Sequence, residues 1–381
     1  MNYLPVLFGY EASNIGNSHV ALSLCRYWNE SGKSTRLIVP GAVKGLDYPW
    51  LRPAMKGLQL KMAYKFGTTF QARRRAEQLF LKQEQQASTV YLWAGLSLDI
   101  FEAFHERGCS IIIERINCHR RTSWRIQKEA ASTWNIAYEV PIHEKDAREE
   151  DMKLQLADSV FCPSPMVRKS MLENGVAANK LLLTSYGWAP ERFPGRNTER
   201  TRTRRPVILF VGSICLRKGI PLLLEAWKRA NLDAELLLCG RIAPEIEACL
   251  PPLETYRNVR HISYTHDIGK VYRNADIFVF PSLEEGGPMV TYEAMAHGLP
   301  VLVSEMGAGA IVEHDVNGIV LPAPDVDAWA ENLAAMVENP DRRNAIGQQA
   351  RQRAENFTWK NVADQRARLL QEKNPRLWTD R

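Results

Sequence analysis

The chain has 381 residues, of which 45% are hydrophobic and 24% charged, with a formal net charge of +6. That length predicts two domains, and the balance is that of a globular protein rather than a fibrous or disordered one. No apolar run approaches the ~20 residues of a membrane span, residues 1–5 lack the regions of a secretion signal, and seven scattered cysteines with no Cys-x-x-Cys pair predict reduced thiols in a cytoplasmic setting. The positive charge favours an anionic partner, which leaves nucleic acid, anionic lipid and nucleotide all open.

A strand is predicted over 6–10, followed by a polar loop over 11–17 that holds Gly16. A helix follows over 18–31, with Val20, Leu24, Tyr27 and Trp28 on one face. Strand-like runs recur at 36–39, 90–93, 111–114, 160–162 and 181–184, with helical stretches between them. Residues 190–206 have no apolar period and are rich in Pro, Thr and Arg, the composition of a linker and most simply a solvated tether. A second alternation begins at 207–211, with strands at 235–239, 259–262, 277–280, 301–304 and 319–321. Helices are predicted over 220–230, 268–274, 291–297, 328–338, 342–355 and 359–373. Two successive runs of alternating strands and helices predict an α/β protein. It would have two facing Rossmann-like domains with parallel sheets, and a ligand cleft at the carboxyl ends of the strands. The expected boundaries are 1–189, a linker at 190–206, a second domain at 207–357, and a closing helix in 358–381 that packs back on the first domain.

The candidate chemistry lies in the second half. Gly212 and Ser213 follow a strand, and Arg217 and Lys218 stand just before Gly219 and the next helix. Free helix-start amides with two cations suit a diphosphate. The next loop reads Glu285-Gly-Gly-Pro-x-x-x-x-Glu293. Gly286 and Gly287 permit close backbone approach, and Met289 and Val290 supply helix-start amides. Carboxylates accept from sugar hydroxyls, and amides donate to phosphate oxygens.

This segment, continuing into Ala-Met-Ala-x-Gly-x-Pro-Val, resembles the E-x7-E signature of glycosyltransferase family 4, a retaining family with the GT-B fold. Glu114-Arg115 with His119, the strand ending at Ser164, Ser185-Tyr-Gly187, and Glu313 with Asn317-Gly318 are similar to further family elements, so the resemblance spans most of the chain. It implies that Glu293 holds the ribose and Glu285 the donor sugar, that Arg217 and Lys218 neutralise the diphosphate, and that His119 approaches the transferred sugar. Arg241 would lie near the nucleotide and Gly16 near the phosphates. No metal and no cofactor is expected beyond the nucleotide-sugar substrate. The implied activity is hexose transfer from a UDP- or GDP-linked donor to a cell-surface glycan or glycolipid, with the acceptor read by the first domain. In two places this chain departs from the family pattern: Ser213 stands where many members have Arg, and the loop at 13–17 has one glycine where relatives often have two.

Two other features have ordinary and functional readings. Asp325-Val-Asp327 follows two prolines and opens a helix, which predicts a cap rather than a metal site. The segment 44–75 carries Lys44, Arg52, Lys56, Lys61, Lys65, Arg73, Arg74 and Arg75 against Asp47 alone. Trp50, Leu51, Met55, Leu58, Leu60, Met62, Tyr64, Phe66 and Phe70 are interleaved. It suits an anionic membrane face, which would make the protein peripheral on the inner leaflet, or it is core with solvated charges. A second basic stretch at 119–134 includes Trp124 and is a candidate wall of the acceptor cleft. The competing functions are a nucleotide-sugar hydrolase or epimerase of the same fold, and a non-catalytic membrane- or nucleic-acid-binding assembly protein. Nucleic acid is disfavoured because the basic runs form no compact recognition module.

Overall fold

The computed structural model describes residues 3–57, 60, 62, 69–93, 95–193 and 205–378. Among them, the first sheet contains β1 (Leu4–Leu7), β2 (Thr35–Val39), β3 (Leu51–Pro53), β4 (Thr89–Trp93), β5 (Ser110–Glu114), β6 (Ser159–Cys162) and β7 (Leu181–Leu183). The second contains β8 (Val207–Val211), β9 (Glu235–Cys239), β10 (Val259–Ile262), β11 (Ile277–Phe280), β12 (Val301–Ser304) and β13 (Ile319–Leu321). The helices, in chain order, are α1 (Gly16–Glu30), α2 (Thr69–Gln83), α3 (Leu98–Glu106), α4 (Arg120–Thr133), α5 (Glu144–Leu156), α6 (Pro165–Glu173), α7 (Ile220–Ala230), α8 (Pro244–Cys249), α9 (Ile268–Asn274), α10 (Met289–Ala296), α11 (Val326–Glu338), α12 (Pro340–Glu355) and α13 (Trp359–Lys373).

The strand orders are β3-β2-β1-β4-β5-β6-β7 and β10-β9-β8-β11-β12-β13. Every pairing is parallel. Strands covered on both faces read as unbroken apolar runs, which is why β4 and β11 are buried at every residue. In each sheet the order reverses at the first strand, between β1 and β4 and between β8 and β11. A crevice opens there beyond the carboxyl ends. The two Rossmann-like sheets of the expected α/β architecture are present.

Some elements differ from the sequence reading. The first strand begins at Leu4, whose N–H donates to Ser34, and ends at Leu7, before the turn at Gly9. Pro5 does not prevent this, because β1 pairs with β4 only from Val6 onward. Strand β3 was not expected; it is three residues long and pairs on one side only, with β2.

Helix α13 lies against the first domain although it follows the second in sequence. Trp28 Nε1 donates to the Ala363 carbonyl at 2.7 Å, and Asn374 Nδ2 donates to Thr89 Oγ1 at 2.6 Å. Arg366 and Glu114 form an ion pair with neither side chain exposed, Nη1 to Oε2 at 2.7 Å and Nη2 to Oε1 at 3.3 Å. The chain crosses between domains beside this helix, where Trp188 N–H donates to Phe357 and Trp359 N–H to Trp188. Gly187 is required at the crossing, since a Cβ there would lie 2.7 Å from the Phe357 carbonyl oxygen.

All seven cysteines are free. Among the described residues no helix is long and apolar enough to cross a membrane. In the basic segment, Leu51 and Met55 are core, while Met62 and Phe70 are exposed and Trp50 is half-buried. Leu58, Lys61, Tyr64, Lys65 and Phe66 lie outside the described residues, as does the linker from 194 to 204. Asp325 caps α11 by accepting from Ala328 N–H, and Asp327 pairs with Arg229.

Candidate active site

The site begins at the two loops that leave β8 and β11. Gly212 follows β8 with φ +147°, and a 3-10 turn over Leu216–Lys218 ends at Gly219 with φ +70°. A Cβ on Gly219 would lie 2.1 Å from the Pro281 carbonyl oxygen, so the first loop packs directly on the second. The Leu283 N–H donates to the Arg217 carbonyl at 2.9 Å and holds the two loops together.

This stitching brings the predicted cations to the predicted carboxylate. Lys218 Nζ donates to Glu285 Oε2. Arg217 Nη1 lies 3.6 Å from the same oxygen and 3.2 Å from Glu284 Oε2. Burial, with Arg217 alongside, pulls the Lys218 amine down to about 7. Ser213 is exposed at the loop's start. Arg241 is exposed as well; its carbonyl accepts from Ile214 N–H at 2.8 Å, so its backbone runs beside the phosphate loop.

Glu293 sits one turn into α10, which Met289 and Val290 open with half-buried side chains. It is buried. Its Oε2 accepts from the Tyr272 hydroxyl at 3.0 Å, and its Oε1 lies 3.7 Å from Arg192 Nη1. Burial raises its carboxyl above the usual range, against the pull of Arg192. Glu285 and Glu293 thus have separate partners. Arg192 corrects the linker reading: it lies in the segment expected to be a solvated tether, yet it reaches into the second domain.

Other expectations need correction. Gly286 and Gly287 do allow close approach, but to the first domain. A Cβ on Gly286 would lie 1.6 Å from the Ile116 carbonyl oxygen, and one on Gly287 would lie 2.6 Å from the Tyr186 ring. Gly16 stands in open space with φ +54°, so backbone conformation rather than crowding selects glycine there. The His119 ring is packed away from solvent. It is fully buried at the start of α4, with Nε2 3.0 Å from Asp151 Oδ1 and Nδ1 accepting from Arg121 N–H. Burial lowers its imidazole below the usual value, opposed by the charge of Glu150. Direct contact with a transferred sugar would need this ring to leave its pocket.

Glu284 is the residue that sequence reasoning missed. Its side chain is fully buried; Oε1 accepts from Cys118 N–H at 3.2 Å and Oε2 from Asn117 Nδ2 at 3.4 Å. The only signal was its place beside Glu285, and nothing local distinguishes the two.

Residues 193–353 match the family model described as Glycosyl transferases group 1. Alpha-maltose-1-phosphate synthase from Mycolicibacterium smegmatis is 32% identical over 186 residues, 42% of this chain and 46% of that protein. D-inositol 3-phosphate glycosyltransferase from Corynebacterium efficiens is 30% identical over 205 residues, 47% of each. The chain spans about half the length of the curated relatives it matches. Among solved structures, sucrose-phosphate synthase from Thermosynechococcus elongatus superposes with a TM-score of 0.73 at 19% identity, over 98% of this chain and 99% of that one. Anabaena Alr3699/HepE in complex with UDP and glucose gives 0.66 at 13% identity, over 98% and 100%. The whole chain therefore shares the GT-B fold of these structures, and residues 193–353 carry a Glycosyl transferases group 1 domain.

Proposed function

We propose that the protein is a retaining glycosyltransferase that moves a hexose-type sugar from a UDP- or GDP-linked donor to a cell-surface glycan or glycolipid. The observation that carries this reading is the meeting of Arg217 and Lys218 with Glu285, at the switch point of the sheet within the matched segment. Transfer leaves a nucleoside diphosphate with two or more negative charges. In this reading Arg217, Lys218 and the opening amides of α7 and α10 stabilise that charge without a metal. Glu285 then takes the sugar hydroxyls and Glu293 the ribose. Retention follows if the acceptor attacks from the face the diphosphate leaves, with no enzyme nucleophile. The exposed Met62 and Phe70, among Lys44, Arg52, Lys56 and Arg75, support docking on an anionic inner leaflet.

The test is heat stability with UDP, GDP and ADP in EDTA, on wild type and Glu293→Ala. A ligand at 100 times its dissociation constant adds about 2.7 kcal/mol. One nucleotide should stabilise the wild type and not the variant, and Glu285→Ala and Lys218→Ala should stay folded and lose most transfer. Stabilisation by none of the three, or full transfer by either variant, would refute the assignment.

A further inference from the structure

The crossing between the domains carries a cation with no part in the diphosphate site. Pro190–Arg192 form a 3-10 turn. Two contacts with α1 seat this turn on the first domain: Glu191 Oε1 accepts from Arg26 Nη1 at 3.1 Å and from the Tyr27 hydroxyl at 3.3 Å. The next residue, Phe193, is buried in the second domain. Its ring meets His297 and Tyr272 edge-on, with centroids 5.0 and 6.2 Å away. Arg192 is therefore held between an anchor on each domain.

The group that Arg192 meets is the Glu293 carboxylate. Its Nη1 lies 3.7 Å from Oε1, while the Tyr272 hydroxyl occupies Oε2 at 3.0 Å. At 3.7 Å the guanidinium supplies charge without a hydrogen bond, so Oε1 can still accept from another donor. The side chains of Arg192 and Glu293 keep 32% and 12% of their surface, so the pair is not sealed in the core.

The other titratable neighbours do not supply this charge. His297 uses Nδ1 on the Glu293 backbone carbonyl at 2.7 Å, and His19, which feels Arg192 from α1, is kept neutral at pH 7 by burial. Burial raises the Glu293 carboxyl above its usual range, and Arg192 opposes this first, the Tyr272 hydrogen bond second. A carboxylate accepts a hydroxyl proton more strongly than the neutral acid does.

We infer that Arg192 is a positioning residue of the nucleotide site: from the domain crossing it keeps Glu293 a carboxylate that accepts from the vicinal hydroxyls of a ribose, so nucleotide affinity depends on how the crossing is seated. This rests on the reading of Glu293 as the ribose acceptor.

The experiment titrates UDP, GDP and their 2′,3′-dideoxy forms calorimetrically into wild type, Arg192→Gln, Arg192→Lys and Glu293→Gln between pH 6 and 8.5. At pH 6 the nucleotide that wild type binds should bind Arg192→Gln about fivefold more weakly. The gap should narrow towards pH 8.5, because without the guanidinium the carboxyl takes its proton at a higher pH. Taking the ratio to wild type at each pH removes the titration of Lys218 and of the nucleotide. Arg192→Lys keeps the charge and should recover most of the affinity. The dideoxy form should bind wild type more weakly than the parent nucleotide and should not distinguish the four proteins. Weakening in Glu293→Gln with none in Arg192→Gln would overturn the inference and leave the ribose assignment standing. A loss in Arg192→Gln that is the same at every pH, or the same for the dideoxy form, would make the residue a structural prop and overturn the inference too. Failure of wild type to bind either nucleotide, or full affinity in Glu293→Gln, would overturn the ribose assignment and the inference with it.

Discussion

The carboxylate of Glu284 joins the two domains: it accepts from the backbone N–H of Cys118 at 3.2 Å on one side and lies 3.2 Å from Arg217 Nη1 on the other. The glycine that follows Glu285 has no room for a side chain against Ile116. One short loop therefore seats the first domain and orients a cation of the second. Glu284→Ala leaves the Cys118 N–H and the Asn117 amide without this acceptor, while Arg217 Nη1 keeps the Glu284 carbonyl at 2.9 Å, and should cost about 1–3 kcal/mol. Glu284→Gln keeps one acceptor oxygen and should cost less. Urea unfolding measures both; an unchanged midpoint in Glu284→Ala would show that the latch holds nothing.

Arg366 should be the most sensitive residue of α13. It is fully buried with Glu114, and its Nη2 also donates to the Ser185 carbonyl at 3.0 Å. Removing one member of a buried pair strands the other charge, so Arg366→Ala should cost about 3–5 kcal/mol. The double replacement Glu114→Gln with Arg366→Met removes both charges and should lose less than the single variant. Chemical denaturation of the three proteins decides, and a double variant weaker than Arg366→Ala would contradict the argument.

Donor affinity should fall as pH rises through 7. Burial and Arg217 bring the Lys218 amine to about 7, and only its protonated form attracts a diphosphate. Above that value the neutral form dominates, and the apparent dissociation constant should climb by at most about tenfold per pH unit. Lys218→Arg stays charged and should show a flatter profile. Calorimetric titration of the stabilising nucleotide between pH 6 and 9 tests the slope.

Acid should destabilise the fold through His19. Burial, reinforced by Arg192, lowers its imidazole to about 4 from 6.5. Between those values the unfolded chain binds the proton and the folded one does not. Stability is therefore full above 6.5 and lost as pH falls towards 4, by about 3 kcal/mol in total. His19→Gln should narrow the gap between unfolding midpoints at pH 7 and pH 4.5; an unchanged gap would assign the acid sensitivity elsewhere.

Most of the second sheet was legible: β8, β9, β11 and β12 are short, largely buried apolar runs bounded by turn residues, whereas the edge strand β10, Val-Arg-His-Ile, is only partly buried. The phosphate loop was legible too, because Gly212, Gly219 and two adjacent cations sit at a strand-to-helix turn. The setting of His119 was not legible, for the opposite reason. Its surroundings are Asp151, Glu150 and Ser170, which lie 31 to 51 positions away in sequence and which no local pattern connects to it.

Period and composition are local properties, and they were enough to determine the class, the strand order of events along the chain, and the residue types able to hold a diphosphate. Only the tertiary structure decided which glutamate latches the domains, that Arg192 reaches Glu293, and that α13 returns to bury Arg366 on Glu114. Each of these is a meeting of charged or hydrogen-bonding groups from distant segments. Their partners are set by how the domains close, which is a property of the folded chain rather than of any stretch of it.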